Sequence, residues 1–129
     1  MKTKIIHCYT DYGHGWAKVE LKELLKLGIV GDISRYSYYR PSKNINGKAY
    51  VYLEEDQDIA TYTTALTNKF PDIKIEFKTH HTDKVSKIRS YNYFDGKGLI
   101  EGYEQAKKFI DDHFKIIKVG SNGYVITEQ

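Results

Sequence analysis

Residues 48–78 read KAYVYLEEDQDIATYTTALTNKFPDIKIEFK, and three patterns follow one another within them. Lys48 to Glu54 alternates, with Tyr50 and Tyr52 on one side and Val51 and Leu53 on the other. That period of two, with its β-branched and aromatic content, predicts a strand with one aliphatic and one aromatic face. Asp56 and Asp58 then stand where a helix N-terminus wants acceptors and negative charge, and Ile59, Tyr62, Thr63, Leu66 and Phe70 recur at helical spacing. A helix is predicted from there to Phe70, stopped by Pro71. From Ile73 the period returns to two: Ile73, Ile75 and Phe77 alternate with Lys74, Glu76 and Lys78, the pattern of a half-buried strand.

The same reading extends in both directions. Lys4 to Tyr9 is β-branched and aromatic and ends at the turn cluster Asp11-Tyr12-Gly13-His14-Gly15, after which Trp16 to Val19 gives a brief second strand. Leu21, Leu24 and Leu25 form the stripe of a short helix from Glu20 to Leu27, and Gly28 supplies its left-handed stop. Asp32 to Tyr39 alternates and leads into Pro41, which suits an edge strand followed by a loop to Gly47. Toward the C-terminus, Thr79 to Ser86 reads as loop and Lys87 to Phe94 as a further strand. Leu99 to Phe114 reads as the longest helix, and Lys115–Val119 with Tyr124–Thr127 as a hairpin about Gly120-Ser121-Asn122-Gly123. The expected class is α+β: a single, mainly antiparallel sheet with about three helices packed on it, in one compact domain over residues 1–129.

With 40% hydrophobic and 29% charged residues, the 129-residue chain can build a core and cover it, which argues against wholesale disorder. A net charge of +3 is too small to mark a nucleic-acid binder by itself, so the placement of the charges has to decide. A lone Cys8 closes no intramolecular disulfide, the N-terminal apolar run is broken by His7 and Asp11, and no apolar stretch approaches the ~20 residues that cross a bilayer. A cytoplasmic protein with no membrane partner is expected. The composition departs most from the ordinary in its 12 tyrosines, rings whose hydroxyl suits half-wet surfaces.

Two segments combine those rings with cations: Arg35, Tyr36, Tyr38, Tyr39, Arg40 and Lys43, and then Lys84, Lys87, Arg89, Tyr91, Tyr93 and Phe94. Residues two apart in a strand share a face, so Tyr36 with Tyr38 and Tyr91 with Tyr93 each form a stacking platform beside groups that hold phosphate. Arg35, Tyr36, Tyr38, Arg40, Lys87, Arg89, Tyr91 and Tyr93 are therefore the candidate site for single-stranded nucleic acid or a nucleotide-like ligand. The competing account is that tyrosines pair across an exposed sheet while Lys and Arg keep it soluble. Everything functional rests on the two segments meeting in space.

The glycine-bracketed His14 is the one catalytic candidate, an acid or base near neutral pH in a loop whose glycines admit a ligand; a local turn in which His14 and Trp16 pack together is the alternative. Glu54, Glu55, Asp56 and Asp58 with His80, His81 and Asp83 match no metal-ligand spacing, and no cofactor is called for. Cys8, in a strand beside no evident base, reads as an inert thiol.

Gly13-His14-Gly15-Trp16, Leu27-Gly28-Ile29, Ile33-Ser34 with Tyr36-Ser37-Tyr38, Tyr52-Leu53-Glu54-Glu55-Asp56 with Asp58, and Ser86 to Tyr91 together resemble a group of small hypothetical proteins encoded by phages, plasmids and other mobile elements. The resemblance covers about residues 5–94 and departs at Gln57, where those relatives tend to carry Cys. It implies an accessory role and brings no catalytic residues with it. The leading expectation is thus a non-enzymatic accessory protein binding nucleic acid or a nucleotide-like ligand. Two alternatives stand beside it: a small enzyme on a phosphorylated or nucleotide substrate with His14 as acid/base and Arg89 as anion clamp, and a protein–protein inhibitor of a host defence enzyme.

Overall fold

Alternating strands can bury an apolar face only against something, and here the something is a pair of helices. The structure is a computed structural model that describes residues 2–42, 47–102 and 104, together with the backbone of 114–119 and 123–128. It falls into two compact units, Met1–Gly96 and Lys97–Gln129.

The first unit holds a six-stranded sheet in the order β5-β1-β2-β4-β3-β6. Its strands are β1 Thr3–Thr10, β2 Gly15–Glu20, β3 Tyr38–Arg40, β4 Tyr50–Glu54, β5 Lys74–His81 and β6 Asn92–Tyr93. Every neighbouring pair is antiparallel except β1 with β5, which run parallel with Thr3 opposite Lys74 and Thr10 opposite His81. Helix α1, Leu21–Leu27, leads directly out of β2, and helix α2, Asp58–Lys69, carries the chain from β4 back across β2 and β1 to β5. The α+β class, helices packed on a mainly antiparallel sheet, is what the molecule shows.

Ile6, Ala17, Val19, Val51 and Leu53 are buried on the helix side, together with Leu24, Tyr62, Leu66, Val30, Ile33 and Phe94. Each such aliphatic side chain contributes roughly 1.5–3 kcal/mol on leaving water. Gly28 ends α1 with φ 71°, its N–H donating to Leu25 O while the Ile29 N–H reaches Leu24 O, the double bond of a Schellman cap. Among the described residues, no helix is long and apolar enough to cross a membrane.

Four local readings change. The start of α2 is capped by Glu54 rather than by Asp56 or Asp58: its carboxylate accepts from the N–H groups of Asp56, Gln57 and Asp58 at 2.7–2.8 Å. Asp58 is instead fully buried and accepts from Ser34 N–H, Ser34 Oγ and Ser37 Oγ. That pull draws the segment expected as a strand from Asp32 to Tyr39 into a 3-10 turn at Val30–Asp32 and a bend, leaving only Tyr38–Arg40 as strand. The strand expected from Lys87 to Phe94 likewise becomes a 3-10 turn, Lys87–Ser90, capped by Ser86 Oγ accepting from Ile88 N–H, with only Asn92–Tyr93 extended. Finally, β5 runs on through Thr79 to His81, where a loop was expected, because β1 is long enough to pair with it throughout.

In the second unit, Phe114–Val119 (β7) and Gly123–Glu128 (β8) pair as the expected antiparallel hairpin, forming a separate two-stranded sheet. The chain is helical at 96–102. The rest of the helix expected from Leu99 to Phe114 lies outside the described residues.

Candidate ligand-binding face

The register of the sheet decides which side chains share its other face. His7 stands opposite Lys18, Lys18 opposite Tyr52, Tyr52 opposite Tyr38 and Tyr38 opposite Tyr93. One row along, His80 stands opposite Tyr9, Tyr9 opposite Trp16 and Trp16 opposite Glu54. A third row sets Glu20 opposite Tyr50 and Tyr50 opposite Arg40. Because successive strand residues alternate, these positions lie away from the helices.

The result is a second, aromatic core. Trp16, Tyr52 and Ile88 are buried in it, with Tyr9, Tyr38, Tyr50 and Tyr91 packed around them. Tyr38 stacks on Tyr93 with ring centroids 5.3 Å apart and meets the edge of Trp16 at 6.0 Å, and Tyr91 leans on Tyr52 at 5.2 Å. Cations sit on the same rings: Lys18 lies 4.2 Å from the centre of Tyr50, and Arg40 5.7 Å from that of Tyr91. Burial pushes the Tyr38 hydroxyl above its usual pKa, with Tyr93 adding to the shift. Tyr52 is raised the same way, chiefly by burial, against the opposing pull of Arg40.

Asp11 ties the loops to this face. Its buried carboxylate accepts from Arg89 Nε at 2.6 Å and Nη2 at 2.9 Å, from the N–H groups of Gly13 and His14 at 3.0 Å, and from Ser86 N–H at 3.1 Å. The Arg89 guanidinium, foremost, holds the Asp11 carboxyl far below the ordinary carboxylate range, the backbone N–H groups adding to it against the cost of burial. Arg89 is raised in turn by Asp11, and its guanidinium also lies 5.6 Å over Trp16 and 5.3 Å over Tyr12. The loop glycines serve this arrangement rather than a ligand: a Cβ on Gly13 would sit 3.1 Å from Arg89, and one on Gly15 3.1 Å from Thr10 and 3.2 Å from Glu55.

Two concavities are relevant. A groove of about 710 Å³ has His7, Tyr9, Lys18, Tyr50 and His80 in its walls on the aromatic side and is also lined by the helices, with Lys22, Glu23 and Lys26 of α1 and Leu66 and Lys69 of α2. Here His7 and His80 are hydrogen-bonded at 3.0 Å and stacked, and Tyr9 stacks on His80 at 5.0 Å. A second cavity, of about 340 Å³, lies where β3 and β6 meet the start of α2, among His14, Trp16, Tyr36, Tyr38, Tyr93, Arg89, Gln57 and the carboxylates Glu54, Glu55 and Asp56.

The candidate residues thus separate into three groups. Tyr36, Tyr38, Arg89, Tyr93 and His14 line the smaller cavity, while Arg40 and Tyr91 lie together on the sheet face. Arg35 is ion-paired to Asp95 at 3.4 Å on the surface, and Lys87 is exposed on its 3-10 turn. The two ring-and-cation segments do meet, through β3 and β6. Tyr91 and Tyr93, expected to project together, both reach the aromatic face, Tyr91 against Tyr52 and Tyr93 against Tyr38, and they differ in burial: Tyr91 packs around the aromatic core while Tyr93 is 68% exposed. Arg89, expected as an anion clamp, gives Nε and Nη2 to the buried Asp11 carboxylate.

The sequence reading gives His7, Tyr9 and Lys18 no functional part, Tyr50 only a place on a strand face and His80 only a weighed metal-ligand part, although the spacing of His7 with Tyr9 and of Tyr50 with Tyr52 carries the signal. His14 is 3.6 Å from Glu55 and exposed. Among the described residues, no group of three or more His, Cys, Asp or Glu is placed to hold a metal ion. Cys8, partly buried, has its thiol pKa raised by burial. Comparison with protein-family models, with curated proteins and with solved structures gave no match to this chain.

Proposed function

We propose that this chain is a non-enzymatic binding module that holds single-stranded nucleic acid, or a nucleotide-like piece of one, on the aromatic face of its sheet. The observation that carries the reading is the cross-strand arrangement of Tyr9, Tyr50, Tyr52 and Tyr91 with Lys18, Arg40, His7 and His80 on the side away from the helices. Rings of this kind stack bases at roughly 1–3 kcal/mol each without reading sequence, and neighbouring cations hold the phosphates. The contact surface is centred on the groove of His7, Tyr9, Lys18, Tyr50 and His80: its two carboxylates, Glu20 and Glu23, are each paired with a lysine and Lys18, Lys22, Lys26 and Lys69 line it as well, whereas the other end of the face carries Glu54, Glu55 and Asp56, which repel a polyanion. The resemblance to mobile-element proteins supports placing such a module among the accessory proteins of a phage or plasmid.

The test is fluorescence anisotropy with a labelled single-stranded oligonucleotide at low and at physiological salt. Binding that weakens with salt, and weakens by about tenfold in Lys18→Ala and in Tyr50→Ala, is expected. Absence of binding at low salt, or binding by both variants as tight as by the wild type, refutes the reading.

A second reading, an enzyme with His14 as acid/base, draws on the shared cavity of His14, Glu55 and Arg89. Against it, the anion clamp it requires is already occupied: Arg89 gives Nε and Nη2 to Asp11.

A further inference from the structure

The smaller cavity differs in chemistry from the rest of the face. Its walls are rings and carboxylates. Tyr38 and Tyr93 stack against each other, Trp16 meets Tyr38 edge-on, and Tyr36 stands 77% exposed at the rim. On the α2 side are Glu54, Glu55 and Asp56.

The charge balance follows from the contacts already described. Arg89, which lines the cavity, is paired with Asp11. Glu54 is bonded to three N–H groups at the start of α2, Glu55 is 46% exposed with His14 Nδ1 at 3.6 Å, and Asp56 is exposed. A phosphate entering here would face uncompensated negative charge. A cation would meet carboxylates on one side and the negative faces of aromatic rings on the other, the arrangement in which cation–π attraction adds to ion pairing. The Trp16 ring is buried and already carries Arg89 at 5.6 Å, so the rings that face an incoming cation are Tyr36 and Tyr93.

We propose that this cavity is a binding site for an alkylammonium group, held between the exposed rings of Tyr36 and Tyr93, backed by Tyr38 and Trp16, and the carboxylates of Glu55 and Asp56. The site is independent of the nucleic-acid reading: it occupies the opposite end of the face and selects the opposite charge. A free polyamine and a lysine side chain of a partner present the same head group, so both belong to the class it takes.

Trp16 is the chain's single tryptophan and lines the cavity, which makes its fluorescence a direct reporter. The full chain is titrated with tetramethylammonium, with spermidine, with an acetylated and amidated lysine peptide, and with the matching norleucine peptide as the uncharged control. A saturable change is expected for the cationic probes and none for norleucine, and the tighter of spermidine and the lysine peptide identifies the source of the group. Tyr93→Ala and Glu55→Gln, both at exposed positions, are each expected to weaken binding by about tenfold, as loss of one ring or one charge in such a cage does. Tyr36→Ala gives a third variant should either of those fail to fold. No saturable response to any cationic probe, an equal response to norleucine, or unchanged affinity in the folded variants overturns the proposal. Loss of oligonucleotide binding with cation binding intact would refute the nucleic-acid reading alone.

Discussion

Asp11→Asn puts the most weight on a single pair of atoms. In the native chain the two carboxylate oxygens share five donors: Oδ1 takes Gly13 N–H, His14 N–H and Arg89 Nη2, and Oδ2 takes Ser86 N–H and Arg89 Nε. The amide keeps one oxygen and turns the other site into a donor, so whichever way it flips, at least two donors face an N–H. Hydrogen bonds to charged groups are worth roughly 1.5–3 kcal/mol, and breaking a buried ion pair costs about 3–5 kcal/mol. Arg89 keeps 28% of its side chain in water and can turn outward, which lowers the figure. A loss of about 2–4 kcal/mol is expected, a fall in melting temperature on the order of 10–20 °C for a unit of this size.

The pH dependence gives an independent check. Asp11 has its pKa depressed in the folded state, so its contribution is fully present above the unfolded value of about 3.9 and is lost as pH falls below it toward the folded value. Thermal or urea unfolding of the wild type and the variant should therefore show a constant gap above about pH 5 that narrows below about pH 4. A variant as stable as the wild type, or a gap that widens in acid, would refute the reasoning.

Three further substitutions probe the frame. Gly96→Ala places a Cβ 2.0 Å from the Val30 carbonyl oxygen, a backbone atom that cannot step aside, and should cost about 3 kcal/mol or more in urea unfolding. Gly28→Ala keeps open space around the new methyl group but strains a residue at φ 71°, for a loss of about 1–2 kcal/mol by the same assay. Ser37→Ala removes the hydroxyl that donates to buried Asp58 at 2.5 Å and accepts from Glu54 N–H at 2.9 Å, and should lower stability by about 1–3 kcal/mol in calorimetry.

What could be read from the sequence was what neighbouring residues enforce. The alternation of Tyr50, Val51, Tyr52 and Leu53, the leucine stripe closed by Gly28, and the turn glycines of the C-terminal hairpin each specify an element within a few residues. The errors fall where distant residues override local pattern. Ser34 and Ser37 are bent by Asp58, 21–24 positions away, and Arg89 is drawn to Asp11 across 78. Neither pull has a periodic signature. The site followed the same rule: the Arg/Tyr segments stand out because each sets cations beside rings within a few residues, whereas Tyr9, Lys18 and Tyr50 join the face only through strand pairings that the chain order conceals.

The most direct test of the aromatic face is amide and side-chain chemical-shift mapping of the labelled protein as a single-stranded oligonucleotide is added. The account predicts perturbations concentrated at His7, Tyr9, Lys18, Tyr50 and His80, reaching those helix residues that line the same groove, Lys22, Lys26 and Lys69, with the rest of α2 unmoved. Shifts confined to the helices, or to the carboxylate end at Glu55 and Asp56, would contradict it.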